Sequence, residues 1–328
     1  NNTGTIHSSN LCTEICLPED RENIAVCNLA YINVSTHVLI NADGSAQMDW
    51  ENLRDSVRVA TRHLDNLVDV NELSVPEAKK SDHENRAVGL GMAGIAEVFE
   101  KFGVPYDSEE AYKLIDEITE FISYHSIDTS ADLAQEKGKY SHFVGSMWSK
   151  GFVPYDTIEI LNRDRNSSSV QIPTSPVQNG INVLQSKIDS KIENVQDPEL
   201  REIYSAVKEL TSYLSKLSPE TTTNSTTAAE QPSFTLQQNA DSKLDWTPLR
   251  EKVKKGMRNA TLMAIAPNAS TGLVLGTSPG IDVRFSQIFS RATSRGKYLD
   301  INKNLVRDLQ KLNLWEKFKN QILESYGD

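Results

Sequence analysis

The sequence predicts an α/β fold, and three observations predict it. An apolar, β-branched run at 24–40 has the composition of a buried strand. Two long runs, 49–70 and 108–135, carry apolar residues at helical spacing. A second apolar stretch at 261–266 leads into a small-residue loop, with helical periodicity again near the end of the chain. Strands alternating with amphipathic helices build α/β architectures.

Taken in order, the strand run ends at Asn41-Ala42-Asp43-Gly44, a turn sequence. From Asp49 to Val70 a helix is predicted by Leu53, Val57, Ala60, Leu64, Leu67 and Val68. Val75-Pro76 interrupts the pattern, and Lys79–Asn85 reads as a charged loop. Gly89-Leu90-Gly91-Met92-Ala93-Gly94 is formally a G-x-G-x-x-G string. A dinucleotide fingerprint should follow a strand, whereas this string follows the polar segment Ser81–Arg86. The glycines are therefore read as the packing surface of a helix from Arg86 to Phe102.

Ser108 is placed to cap a helix with Glu109 and Glu110 in its first turn. Ala111, Leu114, Ile115, Ile118, Phe121 and Ile122 give that helix its apolar side, and Gly138 stops it. His125 near this side reads as a packed or surface histidine, not a ligand.

From Asn166 to Ser242 the chain turns rich in Ser, Thr, Asn and Gln, most of all at Glu220–Thr227. Such tracts bury too little apolar surface to offset ordering entropy. One helical island, Asp197–Leu217, interrupts the tract, with Pro198 at a first helical position. The expected organisation is 1–163, then a largely disordered insertion at 164–243 with one helix, then 244–328. Order is expected to resume with a helix from Asp245 to Lys255, a strand at Thr261–Ala266, and an amphipathic helical region from Asn304 to Ser325.

A formal net charge of −11 argues against a nucleic-acid partner, because a phosphate-backbone binder needs a basic face. No apolar run approaches the roughly 18 residues of a membrane span. A soluble, cytoplasmic protein is the expectation. The three cysteines, Cys12, Cys16 and Cys27, all fall near the start. That clustering speaks for chemistry in a reducing compartment and against a disulfide framework. A zinc site would need a fourth ligand such as His7 or His37, and the spacing fits no common structural site.

The candidate chemistry sits at Asn10, Cys12 and Glu14. In extended backbone these alternating residues face one way. An amide can fix a hydroxyl, a thiol can do nucleophilic or one-electron chemistry, and a carboxylate can act as a base. The spacing equally fits an ordinary strand with a half-buried cysteine. Near the other end, Pro267-Asn268-Ala269-Ser270-Thr271-Gly272 can cradle an anion with hydroxyls and backbone N–H groups at a helix start. It equally fits a plain strand-to-helix turn.

Asn10-Leu11-Cys12-Thr13-Glu14-Ile15, followed by Ala25-Val26-Cys27-Asn28-Leu29-Ala30, resembles the active-site segment of ribonucleotide reductase large (catalytic) subunits. Gly256-Met257-Arg258-Asn259 and Ala266-Pro267-Asn268-Ala269-Ser270-Thr271 resemble the phosphate-binding segment of the same family. Tyr140-Ser141-His142-Phe143-Val144-Gly145-Ser146 is also similar to it. The resemblance implies a ten-stranded α/β barrel with a central cysteine-bearing finger loop, of which this chain covers about the second half.

Opening on Asn1 and entering the motif within ten residues, the chain is expected to be a fragment or split-gene product. It would then be inactive alone and would need a complementary N-terminal fragment.

By the same resemblance, Cys12 carries a thiyl radical that takes hydrogen from the ribose 3′ carbon of a ribonucleoside diphosphate. Glu14 is the base for the 3′-hydroxyl, and Asn10 holds the sugar hydroxyls. Cys27 is one of two reducing thiols, its partner lying outside this chain. Asn268, Ala269, Ser270 and Thr271 hold the phosphates, although the family often has Thr where Asn268 stands. Cys16 matches no motif position and is expected to be a packing residue.

No cofactor or metal is expected on the chain itself. A metal-containing small (beta) subunit supplies the radical, and a dithiol of thioredoxin or glutaredoxin type supplies electrons. The adenosylcobalamin-dependent class shares the Asn-x-Cys-x-Glu spacing and is the enzymatic alternative. An inert half-barrel is the non-enzymatic one.

Overall fold

The computed structural model describes residues 4–157, 243–284, 286–293 and 296–325. The chain divides into two units, residues 1–153 with 237–328, and 154–236. The second falls almost wholly outside the described residues, as do the insertion expected at 164–243 and its helical island. The first unit carries the parallel sheet and the helices packed on it.

Strand β1, Asn28–Asn33, runs parallel to β4, Val88–Ala93, in the register Asn28↔Val88 through Asn33↔Ala93. On the far side of β4 the chain at 261–264 lies parallel again. Leu90 N–H donates to the Leu262 carbonyl at 2.7 Å, and Ala264 N–H donates to the Leu90 carbonyl at 3.2 Å. β4 is thus central, and all six of its residues are buried.

Helix α1, Trp50–Val70, begins where Asp49 accepts from Asn52 N–H, and buries Leu53, Val57, Leu64 and Val68. Helix α4, Glu109–Lys137, begins at the Ser108 cap and ends at Gly138. Both follow the sequence expectation. Thr119 of α4 reaches Met92, and Ser126 reaches Met263, so α4 covers the sheet face carrying Met92 and Met263. His125 stacks on Phe121 and Tyr124, with ring centroids 4.4 and 5.2 Å away, as a packed histidine.

Two expectations are corrected here. Residues Pro76–Asn85 are a helix, α2, and not a charged loop; Pro76 starts it and Arg86, at φ 47°, ends it. The glycine string is a strand followed by a helix. β4 precedes α3, Ile95–Phe102, with Gly94 at φ 79° in the left-handed region between them. The packing role stands, with strand neighbours as the partners. A Cβ on Gly89 would lie 2.7 Å from Ala264 Cβ, and one on Gly91 would lie 2.5 Å from the Ala264 carbonyl oxygen. Gly91→Val is therefore expected to destabilise the unit by about 1–3 kcal/mol, since backbone and not a flexible side chain must give way. Urea unfolding measures it, and an unchanged midpoint would contradict the account.

Strand β2, Val38–Ile40, pairs antiparallel with β3, Ala46–Met48, across the expected Asn41–Gly44 turn. Beyond residue 243, helix α5 is Thr247–Lys255 and α6 is Ala269–Leu275. Strands β5, Ile288–Thr293, and β6, Gly296–Ile301, form an antiparallel pair that the sequence pattern does not reveal. Helices α7, Lys303–Lys311, and α8, Trp315–Glu324, divide the expected amphipathic region in two.

One buried charge network ties these parts together. Asp65 on α1, fully buried, accepts from Arg86 Nε at 2.8 Å, Arg258 Nε at 3.2 Å and Lys137 Nζ at 3.2 Å. Asn259 joins it, reaching the Arg86 carbonyl at 3.0 Å.

No helix among the described residues is long and apolar enough to cross a membrane.

Candidate active site

Asn10 to Ile15 is a closed turn and not the extended strand expected. Thr13 N–H donates to the Asn10 carbonyl at 3.0 Å, and Thr13 adopts φ 63°. A left-handed non-glycine residue costs roughly 1–2 kcal/mol, so the surrounding bonds must hold it. They do so on both sides: Ser9 Oγ donates to the Ile15 carbonyl at 2.6 Å, and Ile15 N–H donates to Asn10 Oδ1 at 3.0 Å.

The turn brings Asn10 and Glu14 together in place of strand alternation. Asn10 Nδ2 donates to Glu14 Oε2 at 2.7 Å. Leu11, 98% exposed, and Cys12, also exposed, stand at the tip.

Cys27, immediately before β1, faces this loop. Partial burial raises its thiol above the usual range, and the charges of Glu14 and Cys12 push the same way. Glu14 and Cys27 also line one cavity, which sets the carboxylate beside this thiol. The expected consequence is that Cys27 alkylation rises with pH to a midpoint above that of the unfolded chain. Glu14→Gln should lower the midpoint only part of the way, because burial is the larger cause. A midpoint at or below the unfolded value would contradict the placement.

Cys16 is corrected. It is exposed, and it lines a cavity of about 130 Å³ with Glu14, Cys27, Gly89 and Ala264, so it does not pack a core. All three cysteines are free. Among the described residues no cluster of three or more His, Cys, Asp or Glu is arranged to hold a metal.

The second segment lies elsewhere. Asn268, at φ 53°, caps α6, which puts Ala269, Ser270 and Thr271 in its first turn. Asn268 Nδ2 is buried with no partner among the described residues. The return from α6 is fastened to the far ends of the strands. Gly94 N–H donates to the Ser278 carbonyl at 3.0 Å, and Thr277 Oγ1 reaches Asn33 Oδ1 at 3.3 Å. Asn28 and Asn33 are about 17 Å apart at the rise of a strand. The structure therefore gathers Asn10, Cys12, Glu14 and Cys27 at one end of β1 and sets 268–271 at the other. By strand alternation, Cys27, Leu29, Tyr31 and Asn33 share a face.

One residue that sequence reasoning misses holds the second segment. Glu97 of α3 accepts from Ser278 N–H at 2.8 Å and Ser278 Oγ at 2.6 Å, and pairs with Arg284 at 2.6 Å. Its signal is a carboxylate inside the otherwise apolar run Ile95-Ala96-Glu97-Val98-Phe99.

The fold and site together define a parallel α/β unit with Glu14, Cys16 and Cys27 lining one cavity at one end of β1. The family model described as "Ribonucleotide reductase, barrel domain" matches residues 1–327, and the chain belongs to that family.

Among curated relatives, the chain is 31% identical over 314 residues to the ribonucleoside-diphosphate reductase subunit alpha of Chlamydia pneumoniae, covering 95% of this chain and 23% of that protein. It is 29% identical over 328 residues to the large subunit of Variola virus, covering 99% and 32%. To the large chain of Cryptosporidium parvum it is 29% identical over 329 residues, covering 99% and 31%. The chain thus spans about a quarter to a third of the length of the curated relatives it matches.

Proposed function

We propose that this chain forms the catalytic face of a ribonucleoside-diphosphate reductase large subunit, reducing ribonucleoside diphosphates for deoxyribonucleotide synthesis. The observation that carries the proposal is the Asn10–Glu14 hydrogen bond across the Cys12 turn, with Glu14 and Cys27 lining one cavity.

Cys12, at the exposed tip, abstracts the ribose 3′ hydrogen as a thiyl radical. Glu14 accepts the 3′-hydroxyl proton while Asn10 fixes the carboxylate and the sugar hydroxyls. Cys27 delivers reducing electrons. Its raised thiol keeps the proton that must travel with them at neutral pH. Asn268, Ala269, Ser270 and Thr271 bind the phosphates. The unpartnered Asn268 Nδ2 and the first-turn N–H groups of α6 supply donors for them without positive charge.

Segments 1–163 and 244–328 are read as two parts of a ten-stranded barrel, with 164–243 inserted between them and the Asn10–Ile15 turn as its central finger loop. Among the described residues, β1 pairs only with β4, so the parallel sheet has an open edge there for neighbouring barrel strands. A metal-containing small subunit supplies the radical, an external dithiol restores Cys27, and the rest of the large subunit supplies the second reducing thiol.

The test is deoxynucleotide formation by an assembly containing this chain, the remaining large-subunit segments, the radical-supplying subunit and a dithiol. Turnover that depends on all four supports the reading. An assembly that binds but never reduces the substrate would contradict it.

A further inference from the structure

The chain reverses direction between the two cysteines that share the cavity. Asp20 N–H donates to the Asn23 carbonyl at 3.0 Å, and the Asp20 side chain accepts from Glu22 N–H at 2.7 Å, which together close a tight turn. Counting outward from Asp20 and Asn23 places Leu17 opposite Val26, and Cys16 opposite Cys27. The cavities follow that count. Leu17 and Val26 line one small cavity together, and Cys16 and Cys27 line the 130 Å³ cavity together with Glu14. Among the described residues the Asp20–Asn23 bond is the one backbone hydrogen bond between the two arms, so it is the shared cavity that brings the Cys16 and Cys27 thiols to one space. Cys12, at the tip of its own turn, does not line this cavity.

We propose that Cys16 and Cys27 form a reversible disulfide that withdraws Cys27 from the site under oxidising conditions. The oxidant is a small disulfide of the glutathione class. The Cys16 thiolate attacks one of its sulfurs, forming a mixed disulfide and releasing one small thiol. The Cys27 thiolate then attacks the Cys16 sulfur, which forms the intramolecular bond and releases the second small thiol. Two protein thiols are oxidised, and one small disulfide is reduced to two thiols, with the protons passing to the released thiolates. Both cysteines are solvent-exposed, so exchange needs no unfolding.

The linkage itself rests on the turn and the cavity. Its consequence, loss of turnover until a dithiol reopens the bond, rests on the reading of Cys27 as a reducing thiol.

The full chain is equilibrated in a buffer of oxidised and reduced glutathione, its free thiols are alkylated, and it is cleaved after glutamate. Cleavage at Glu14 separates Cys12 from Cys16. The expected result is a linked peptide pair carrying Cys16 and Cys27 that disappears on dithiol treatment. Cys16→Ser should abolish the pair, and Cys12→Ser should leave it in place. Cys27 joined to Cys12, or carrying glutathione while Cys16 alkylates freely, would overturn the proposal. The same oxidation applied to the assembled enzyme separates the two layers. Linkage with undiminished turnover supports the bond and overturns the reductant role of Cys27.

Discussion

Cys12→Ser is expected to abolish nucleotide reduction in the assembled enzyme. The hydroxyl O–H bond is much stronger than the thiol S–H bond, so no alkoxyl radical forms where the thiyl would. A fall of at least about 10⁴-fold corresponds to a barrier raised by more than about 5.4 kcal/mol. Serine is nearly isosteric with cysteine, and Cys12 is exposed at the tip of a turn whose hydrogen bonds come from its neighbours. Folding and substrate affinity should therefore stay near those of the parent. Cys27→Ser should differ, blocking repeated turnover while substrate still binds. Cys16→Ser should keep most turnover while dithiol is present. Assaying turnover and affinity for all three sorts the roles. A dead Cys16→Ser beside an active Cys12→Ser would overturn the assignment.

The largest loss of stability is expected from Asp65→Asn. The carboxylate is fully buried and accepts from Arg86, Arg258 and Lys137, while the Arg86 side chain is only 5% exposed. Removing the charge leaves the buried Arg86 guanidinium with Asp69 as its one remaining carboxylate, 2.7 Å away, and takes the shared carboxylate from Arg258 and Lys137, which costs about 3 kcal/mol, the low end for a broken buried pair. For a unit of this size the melting temperature should fall by on the order of 10 °C. Glu136→Gln provides the contrast. Its pair with Arg62 is equally short, at 2.8 Å, but both side chains are exposed, at 49% and 42%. Less than about 1 kcal/mol should be lost there. Equal effects from the two substitutions would show that burial is not what gives the Asp65 network its weight.

The parts of the fold that are legible in the sequence are those where local signals and packing agree. Asp49 and Ser108 cap α1 and α4 where their side chains indicate, and Gly138 ends α4. Helix α2 escapes sequence reasoning because its ten residues are nearly all polar and bury only Ala78, Ser81 and Asp82. Its one local signal is Pro76 at the first helical position. β4 reads poorly as a strand because glycine has low strand propensity. The close approach of Leu29 and Ala264, which requires glycine there, is visible only once the neighbouring strands are placed.

For the site, residue types and order are readable but geometry is not. Thr13 carries no marker for a left-handed conformation, so the turn that joins Asn10 to Glu14 cannot be told from a strand. Nor does sequence alone say that Cys16 faces the cavity of Cys27, since that depends on where the chain turns at Asp20–Asn23.

The most direct measurement is the isotope effect on turnover with a ribonucleoside diphosphate deuterated at the ribose 3′ carbon, in the assembled enzyme under reducing conditions. Abstraction of that hydrogen by the Cys12 thiyl predicts slower turnover of the deuterated substrate, together with no measurable turnover of either substrate by Cys12→Ser. Equal rates for the two substrates, with reduction persisting in Cys12→Ser, would contradict it.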